Sequence, residues 1–331
     1  MPLSEPQRRP TGSLTEVPGI KVGNFTHTRR LTGCTAVLCE GGAVAGVDVR
    51  GGGPGTREIE LLRPEMSVER VHAIVLAGGS AYGLSAADGV MRYLEQKGIG
   101  YRAGEAIVPI VPAAILFDLR GDDWHIRPDA AAGFEAAKAA TNAPVAQGNV
   151  GAGAGAVVGK MLGGRPMKGG LGSASLRFDD GLVVGALAAV NAIGDVVDPD
   201  TGEILAGARA ADGKGFLDTA RQLREGTTFP EPRPGENTTL GIVAANVDWT
   251  KAQATKVAQM AQDGVARAVR PAHMPFDGDT IFAIGTGGLP VDGNSLGRLG
   301  ALAADVMAQA IVSAILHAEG VEGCPSYRDL A

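Results

Sequence analysis

Short apolar blocks separated by glycine-rich turns run through the chain, and their spacing predicts its elements. Residues 72–76 read as a buried strand that stops at the turn Ala77-Gly78-Gly79-Ser80. A small-residue helix is expected over residues 84–97. Residues 173–178 and 182–190 flank Asp179-Asp180-Gly181 and predict a hairpin. Residues 240–244 and 280–284 are further strands. Between them, Ala254, Val257, Ala258, Ala261, Val265 and Ala268 fall at helical spacing and predict a helix over 252–269. Near the C-terminus Leu299, Leu302, Ala303, Val306, Ala310, Ala314 and Leu316 repeat that spacing. Asp305 and Gln309 interrupt the run, so residues 299–317 are expected to be a buried helix rather than a membrane span. Hairpins mixed with helices, without strict strand–helix alternation, point to helices layered over mostly antiparallel sheets.

The chain has 331 residues, 45% hydrophobic and 20% charged, a globular balance that excludes disorder throughout. Its length is within reach of one large enzyme domain. Glycine reaches 50 residues but follows no three-residue period, so it signals tight turns and close backbone contacts. The formal net charge of −6 favours neither nucleic acid nor an anionic membrane as partner. Cys34, Cys39 and Cys324 are too few for a disulfide framework and fit a reducing, cytoplasmic setting. No spacing joins them to a histidine pair as metal ligands. The first 16 residues are polar, carry Arg8 and Arg9, lack a signal-peptide core and read as a loose tail.

One segment breaks the pattern. Residues 225–235 carry Pro230, Pro232 and Pro234, which favour extended, exposed chain. By composition this is a domain boundary, yet only 94 residues follow Asn237. The boundary runs straight into Glu236-Asn237-Thr238-Thr239-Leu240. A hydroxyl where an exposed loop meets a buried strand suits an N-terminal nucleophile. If the bond before Thr238 is cut, its new α-amine, with a reference pKa of about 7.7–8.0, becomes the general base for its own hydroxyl. The plainer reading makes Thr238 and Thr239 β-formers at a strand start.

Phe276-Asp277-Gly278-Asp279-Thr280 sets two carboxylates around a glycine before an apolar strand. They can orient an amine and a hydroxyl, one carboxyl keeping its proton because the other is charged. The alternative is a solvated turn; an EF-hand loop does not fit, because its other acidic ligands are missing. Gly151-Ala152-Gly153 meets only the looser dinucleotide fingerprint, with no clean strand before it, and Lys160 has no P-loop spacing. Close backbone packing, with Lys160 delivered to a site, fits better. Asn191, at the end of an apolar run, is either an oxyanion donor or a plain turn residue. His72 lies in an apolar run and reads as a core residue. No cofactor motif is present.

Taken together, Asn237-Thr238-Thr239 ahead of a strand and Asp277-Gly278-Asp279-Thr280 resemble the self-processing aminopeptidases of the L-aminopeptidase D-amidase/D-esterase type. That family includes β-peptidyl aminopeptidases and the nylon-oligomer hydrolase. Gly33-Cys34-Thr35, the stretch Leu76-Ala77-Gly78-Gly79-Ser80-Ala81-Tyr82-Gly83-Leu84, and Gly151-Ala152-Gly153 with Lys160 match it as well, so the likeness runs from Gly19 to His317. The Thr nucleophile and Asp-Gly-Asp resemble the nylon-oligomer (6-aminohexanoate oligomer) hydrolase branch most.

The resemblance implies that Thr238 is the nucleophile, that Asn237 precedes the scissile bond and that Asp277 and Asp279 orient and activate Thr238. It implies Lys160 as the active-site lysine and Asn191 as an oxyanion-side amide. Phe117 stands where the family often has Tyr, which puts the polarity of that wall in question. The implied fold is a four-layer αββα sandwich of α/β (α+β) class, resembling N-terminal nucleophile hydrolases with different connectivity. Residues 1–18 would be a tail and 19–331 a single catalytic domain, cut into an α chain 1–237 and a β chain 238–331. The implied activity is hydrolysis of a small peptide or amide, with no cofactor, in a tetramer of αβ units. An acyltransferase of the ornithine acetyltransferase type, and a glycine-rich protein that no longer processes itself, are the competing readings.

Overall fold

The computed structural model describes residues 10–161, 165–210, 212–213, 215–228 and 236–330. The proline-rich join at 229–235 therefore lies outside the described residues. The main strands are β1 (Lys21–Thr26), β2 (Gly33–Val49), β3 (Thr56–Arg57), β4 (Val71–Ala77), β5 (Ala113–Ile115), β6 (Gly170–Arg177), β7 (Val183–Asn191), β8 (Thr238–Asp248) and β9 (Thr280–Pro290). They are hydrogen-bonded in the order β6-β7-β8-β9-β2-β4-β5-β3, with β1 also on β2. Pairings are antiparallel except β4 with β5 and β8 with β9.

β2 turns this continuous array into two layers. Its first half pairs with β1 and β4, its second half with β9, and the register shifts between Leu38 and Ala43. Side chains then divide by the two-residue period of a strand. Leu240, Ile242, Ala244, Phe282 and Ile284 share one core with Val37, Ile74, Leu76 and Leu116, so this set fills the space between the sheets. The alternate residues Val243, Ala245, Ile281 and Ala283 pack against α3 (Lys251–Ala268) and α4 (Gly293–Leu316). Ala36, Ala73 and Val75 pack on the other outer face against α1 (Ala86–Gln96) and α2 (Ala130–Lys138). Helix, sheet, sheet and helix make the expected αββα layers.

β4, β6, β7, β8 and β9 and the helices α1, α3 and α4 lie where the periodicity puts them, with ends moved by a few residues, whereas β1, β2, β3, β5 and α2 are additional. α3 opens on a capping box formed by Thr250 and Gln253. α4 is long and apolar enough to cross a membrane, with mean hydropathy 1.8, but 67% of that stretch is buried within the fold. Asp305 lies on its outer side and pairs with Arg267 of α3 at 2.6 Å.

The expected tail ends earlier than residue 18. Leu14 and Val17 are fully buried, and Ser13 caps the short turn Leu14–Glu16, because these apolar side chains complete the core between the sheets. Gly151-Ala152-Gly153 serves close packing. A Cβ on Gly153 would lie 2.1 Å from the Leu171 nitrogen, and the Gly151 and Ala152 amides donate to the hydroxyls of Thr26 and Thr35. His72 is a core residue whose Nδ1 accepts the Ile110 N–H at 3.1 Å.

Candidate active site

Sheet topology gathers the candidate residues at one strand end. β7 finishes at Asn191 and β8 begins at Thr238, and the two are register partners. β9 runs parallel to β8, with Thr280 beside Leu240, so the loop before β9 reaches the start of β8 from the other side. There Asn237 and Asp277 pair as an isolated bridge. This places an amide, a hydroxyl and two carboxylates side by side from three separate segments.

Thr238 is buried, and its Oγ1 donates to the carbonyl oxygen of Asn237 at 2.5 Å. The same oxygen accepts the Gly278 N–H at 2.8 Å. Gly278 is needed for space: a Cβ there would lie 2.7 Å from Thr238 Oγ1. Asp279, also buried, accepts the Thr239 N–H at 2.6 Å through Oδ1. Its Oδ2 takes the His273 N–H at 3.0 Å and faces the His273 Nδ1 at 2.9 Å. Asp277 accepts the Met274 N–H at 2.9 Å on Oδ2, while its Oδ1 is buried with no hydrogen-bond partner among the described residues. Burial, and then the charge of Asp279, push the Asp277 pKa up to about 7.

Lys160 and Asn191 hold the approach to the junction. Lys160 Nζ donates to the carbonyls of Asn191 at 2.7 Å and Glu236 at 2.8 Å. Burial, reinforced by Arg120, holds the lysine pKa well below its ordinary value. Asn191 Nδ2 donates to the carbonyls of Phe117 at 3.0 Å and Glu236 at 3.2 Å, and its Oδ1 accepts the Val157 N–H at 3.1 Å. The Asn191 amide is thus bonded one residue upstream of the Asn237 carbonyl. Gly278 is the backbone donor on that carbonyl itself. At residue 117 the contact with the site is the backbone carbonyl.

Thr238, Asp277, Asp279, Lys160, Asn191 and Asn237 are therefore brought together. His273, Gly278 and Arg120 join them, and residue spacing marks none of the three as a site residue. Arg120 Nη2 reaches Asn191 Oδ1 at 3.4 Å. Gly278 was in plain view as the middle of Asp-Gly-Asp; His273, six residues before Asp279, had no periodic or motif signal.

The family model described as Peptidase family S58 matches residues 12–327. An uncharacterized aminopeptidase of Mycobacterium tuberculosis is 42% identical over 348 residues, covering 96% of this chain and 97% of its own length. A 6-aminohexanoate-oligomer endohydrolase of a Kocuria species is 30% identical, over 92% of this chain and 87% of its own. The aminohexanoate hydrolase is the more distant of the two, so overall similarity does not place the chain nearest that branch. Among solved structures, the L-aminopeptidase D-Ala-esterase/amidase of Ochrobactrum anthropi superposes with a TM-score of 0.72 at 19% identity, covering 100% of this chain and 95% of its own. A Burkholderia β-aminopeptidase gives 0.70 at 22%, with 94% and 89% covered. The first is described as a variant of the Ntn-hydrolase fold, and this chain shares that fold.

Proposed function

The chain belongs to peptidase family S58, and on that premise we propose that it is a self-processing amide hydrolase with Thr238 as its nucleophile. One observation carries the reading: the Asn237 carbonyl is gripped by the Thr238 hydroxyl at 2.5 Å and the Gly278 amide at 2.8 Å. Nucleophile and oxyanion donor thus converge on one peptide bond.

In self-cleavage, Thr238 Oγ attacks the Asn237 carbonyl carbon, and Asp277, with a pKa near neutrality, takes the hydroxyl proton. Negative charge gathers on the Asn237 oxygen, where the Gly278 N–H donates. The C–N bond then breaks, nitrogen takes a proton, and the Asn237 acyl group is left as an ester on Oγ. Water opens the ester, releasing the Asn237 carboxylate and freeing the Thr238 amine and hydroxyl. In turnover that amine is the base, held in line with Oγ by the ionised Asp277, Oγ attacks the substrate carbonyl, and the acyl-enzyme is hydrolysed. Asp279 anchors the chain through the Thr239 amide, and Lys160 fixes the carbonyls on either side of the entry.

The substrate class supported best is the amino-terminal amide bond of a small peptide, since a relative named as an aminopeptidase is nearer than one named as an oligomer hydrolase. The mature unit would pair residues 1–237 with residues 238–331 and assemble as a tetramer. The test is incubation with an aminoacyl p-nitroanilide, with and without an amine acceptor. Hydrolysis by wild type and Thr238→Ser, and none by Thr238→Ala, is expected. Hydrolysis by Thr238→Ala at the wild-type rate overturns the assignment, and product formed only with the acceptor makes the protein a transferase.

A further inference from the structure

His273 is a half-buried ionisable group that the mechanism above leaves without a task. It sits in the left-handed region at φ 59, on the segment that leads into Asp277-Gly278-Asp279. That conformation turns both its backbone N–H and its ring nitrogen Nδ1 onto one oxygen, Asp279 Oδ2, at 3.0 and 2.9 Å. The other oxygen of Asp279 is taken by the Thr239 N–H at 2.6 Å. Asp279 thus accepts a backbone N–H on each oxygen, and with the proton on His273 Nδ1 the ring adds a third donor, a setting that suits a carboxylate. Among the described residues its neighbour Asp277 has one backbone donor on Oδ2 and a buried Oδ1 with no partner.

We propose that His273 is a positioning residue that holds Asp279 as the ionised member of the carboxylate pair and so confines the exchangeable proton to Asp277, beside the nucleophile. The inference rests on the reading of Thr238 as nucleophile and assigns the two carboxylates different tasks. Asp279 is a fixed anion that anchors the first turn of β8 through Thr239. Asp277 is the acid–base group.

The charges around the ring agree with this. Burial works against the imidazolium, but the hydrogen bond and charge of Asp279 outweigh it and raise the His273 pKa above the ordinary histidine value. From the end of β2, Arg50 opposes the charged ring, while its own Nε is paired with Asp48 at 2.9 Å. From α3 the neighbour is neutral: the Gln262 backbone carbonyl favours the charged form, although His273 Nε2 is buried without a hydrogen bond among the described residues, and the Gln262 side chain donates to the Asp48 carbonyl. On the far side Asp277 is lowered by both Lys160 and His273, against the larger effects of burial and Asp279. Removing the histidine charge therefore raises the pKa of the pair, and activity that needs Asp277 deprotonated loses its acid side at a higher pH.

The experiment compares pH profiles of kcat and KM for p-nitroanilide hydrolysis by wild type, His273→Asn and His273→Ala. Asn tolerates the left-handed backbone and keeps a donor near the Nδ1 position without charge. The acid limb of kcat in His273→Asn is expected to move up by about one pH unit, with KM within about twofold. His273→Ala, lacking charge and donor, moves it at least as far and lowers the plateau about tenfold. Should either variant accumulate uncut, the pH profile of its self-cleavage, followed on denaturing gels, reports the same limb. Profiles of His273→Asn that superimpose on wild type overturn the proposal, even while Thr238→Ala is inactive. Activity in Thr238→Ala would instead overturn the nucleophile assignment, whatever the histidine variants do.

Discussion

Gly278→Ala probes the junction with one methyl group. Its Cβ would lie 2.7 Å from Thr238 Oγ1, which is 0.7 Å inside the 3.4 Å at which ordinary contact begins. The loop cannot back away freely, because the Gly53 carbonyl is 3.1 Å from the same point. Gly278 is not among the glycines with positive φ, so alanine fits the backbone, and the N–H to Asn237 is retained. The hydroxyl must therefore move by about 0.7 Å or rotate away from the carbonyl it attacks. A misplacement of about 1 Å costs about 100-fold, so self-cleavage should slow by about 30-fold. The assay is a time course of chain cleavage on denaturing gels, with thermal melting alongside. The uncut chain should accumulate with a melting temperature within a few degrees of wild type. Cleavage at the wild-type rate in a folded Gly278→Ala protein would refute the packing argument and the placement of Oγ at the bond.

Asp277 should link pH to both stability and rate. Its folded-state pKa of about 7 lies above the usual carboxylate value, so between about 4 and 7 the folded chain keeps a proton that the unfolded chain has lost. Stability from this group is complete below about 4 and falls as pH rises toward 7; Asp277→Asn should flatten that slope in melting curves and abolish self-cleavage on gels. Lys160→Met removes the donor to the Asn191 and Glu236 carbonyls and should slow cleavage at least about tenfold, measured on the same gels. Away from the site, buried Asp195 accepts the Ala208 N–H at 2.8 Å and the Thr219 N–H and hydroxyl at 2.6 and 3.0 Å. Asp195→Ala leaves those donors stranded and should cost about 3 kcal/mol in urea denaturation.

What the sequence shows of this fold follows from where its periodicity is clean. The strands around residues 72–76, 182–190, 240–244 and 280–284, and the helices α1, α3 and α4, have apolar faces that a single period describes. β2 escaped notice because it changes partners midway: its alternation breaks at the Leu38–Ala43 shift, and Gly41 and Gly42 resemble a turn. α2 escaped too, since Ala130-Ala131-Ala132-Gly133 carries almost no polar contrast. At the site, Thr238, Asp277 and Asp279 were legible as a hydroxyl and paired carboxylates at strand starts. The role of Gly278 depends on an interatomic distance, and that of His273 on a backbone turn that brings its amide and its ring nitrogen to one oxygen. Neither is written in residue spacing. The split between the Asn191 amide, bonded at Glu236, and the Gly278 amide, bonded at Asn237, is likewise a matter of strand register.

The central claim is that the bond between Asn237 and Thr238 is cut by the chain itself to make the nucleophile. The most direct measurement is N-terminal sequencing of the purified, active protein after separation on a denaturing gel. The account predicts two chains, the shorter beginning Thr-Thr-Leu-Gly-Ile-Val, and a single uncut chain in Thr238→Ala. A wild-type chain that stays whole through prolonged incubation and still hydrolyses the aminoacyl amide at full rate would contradict it.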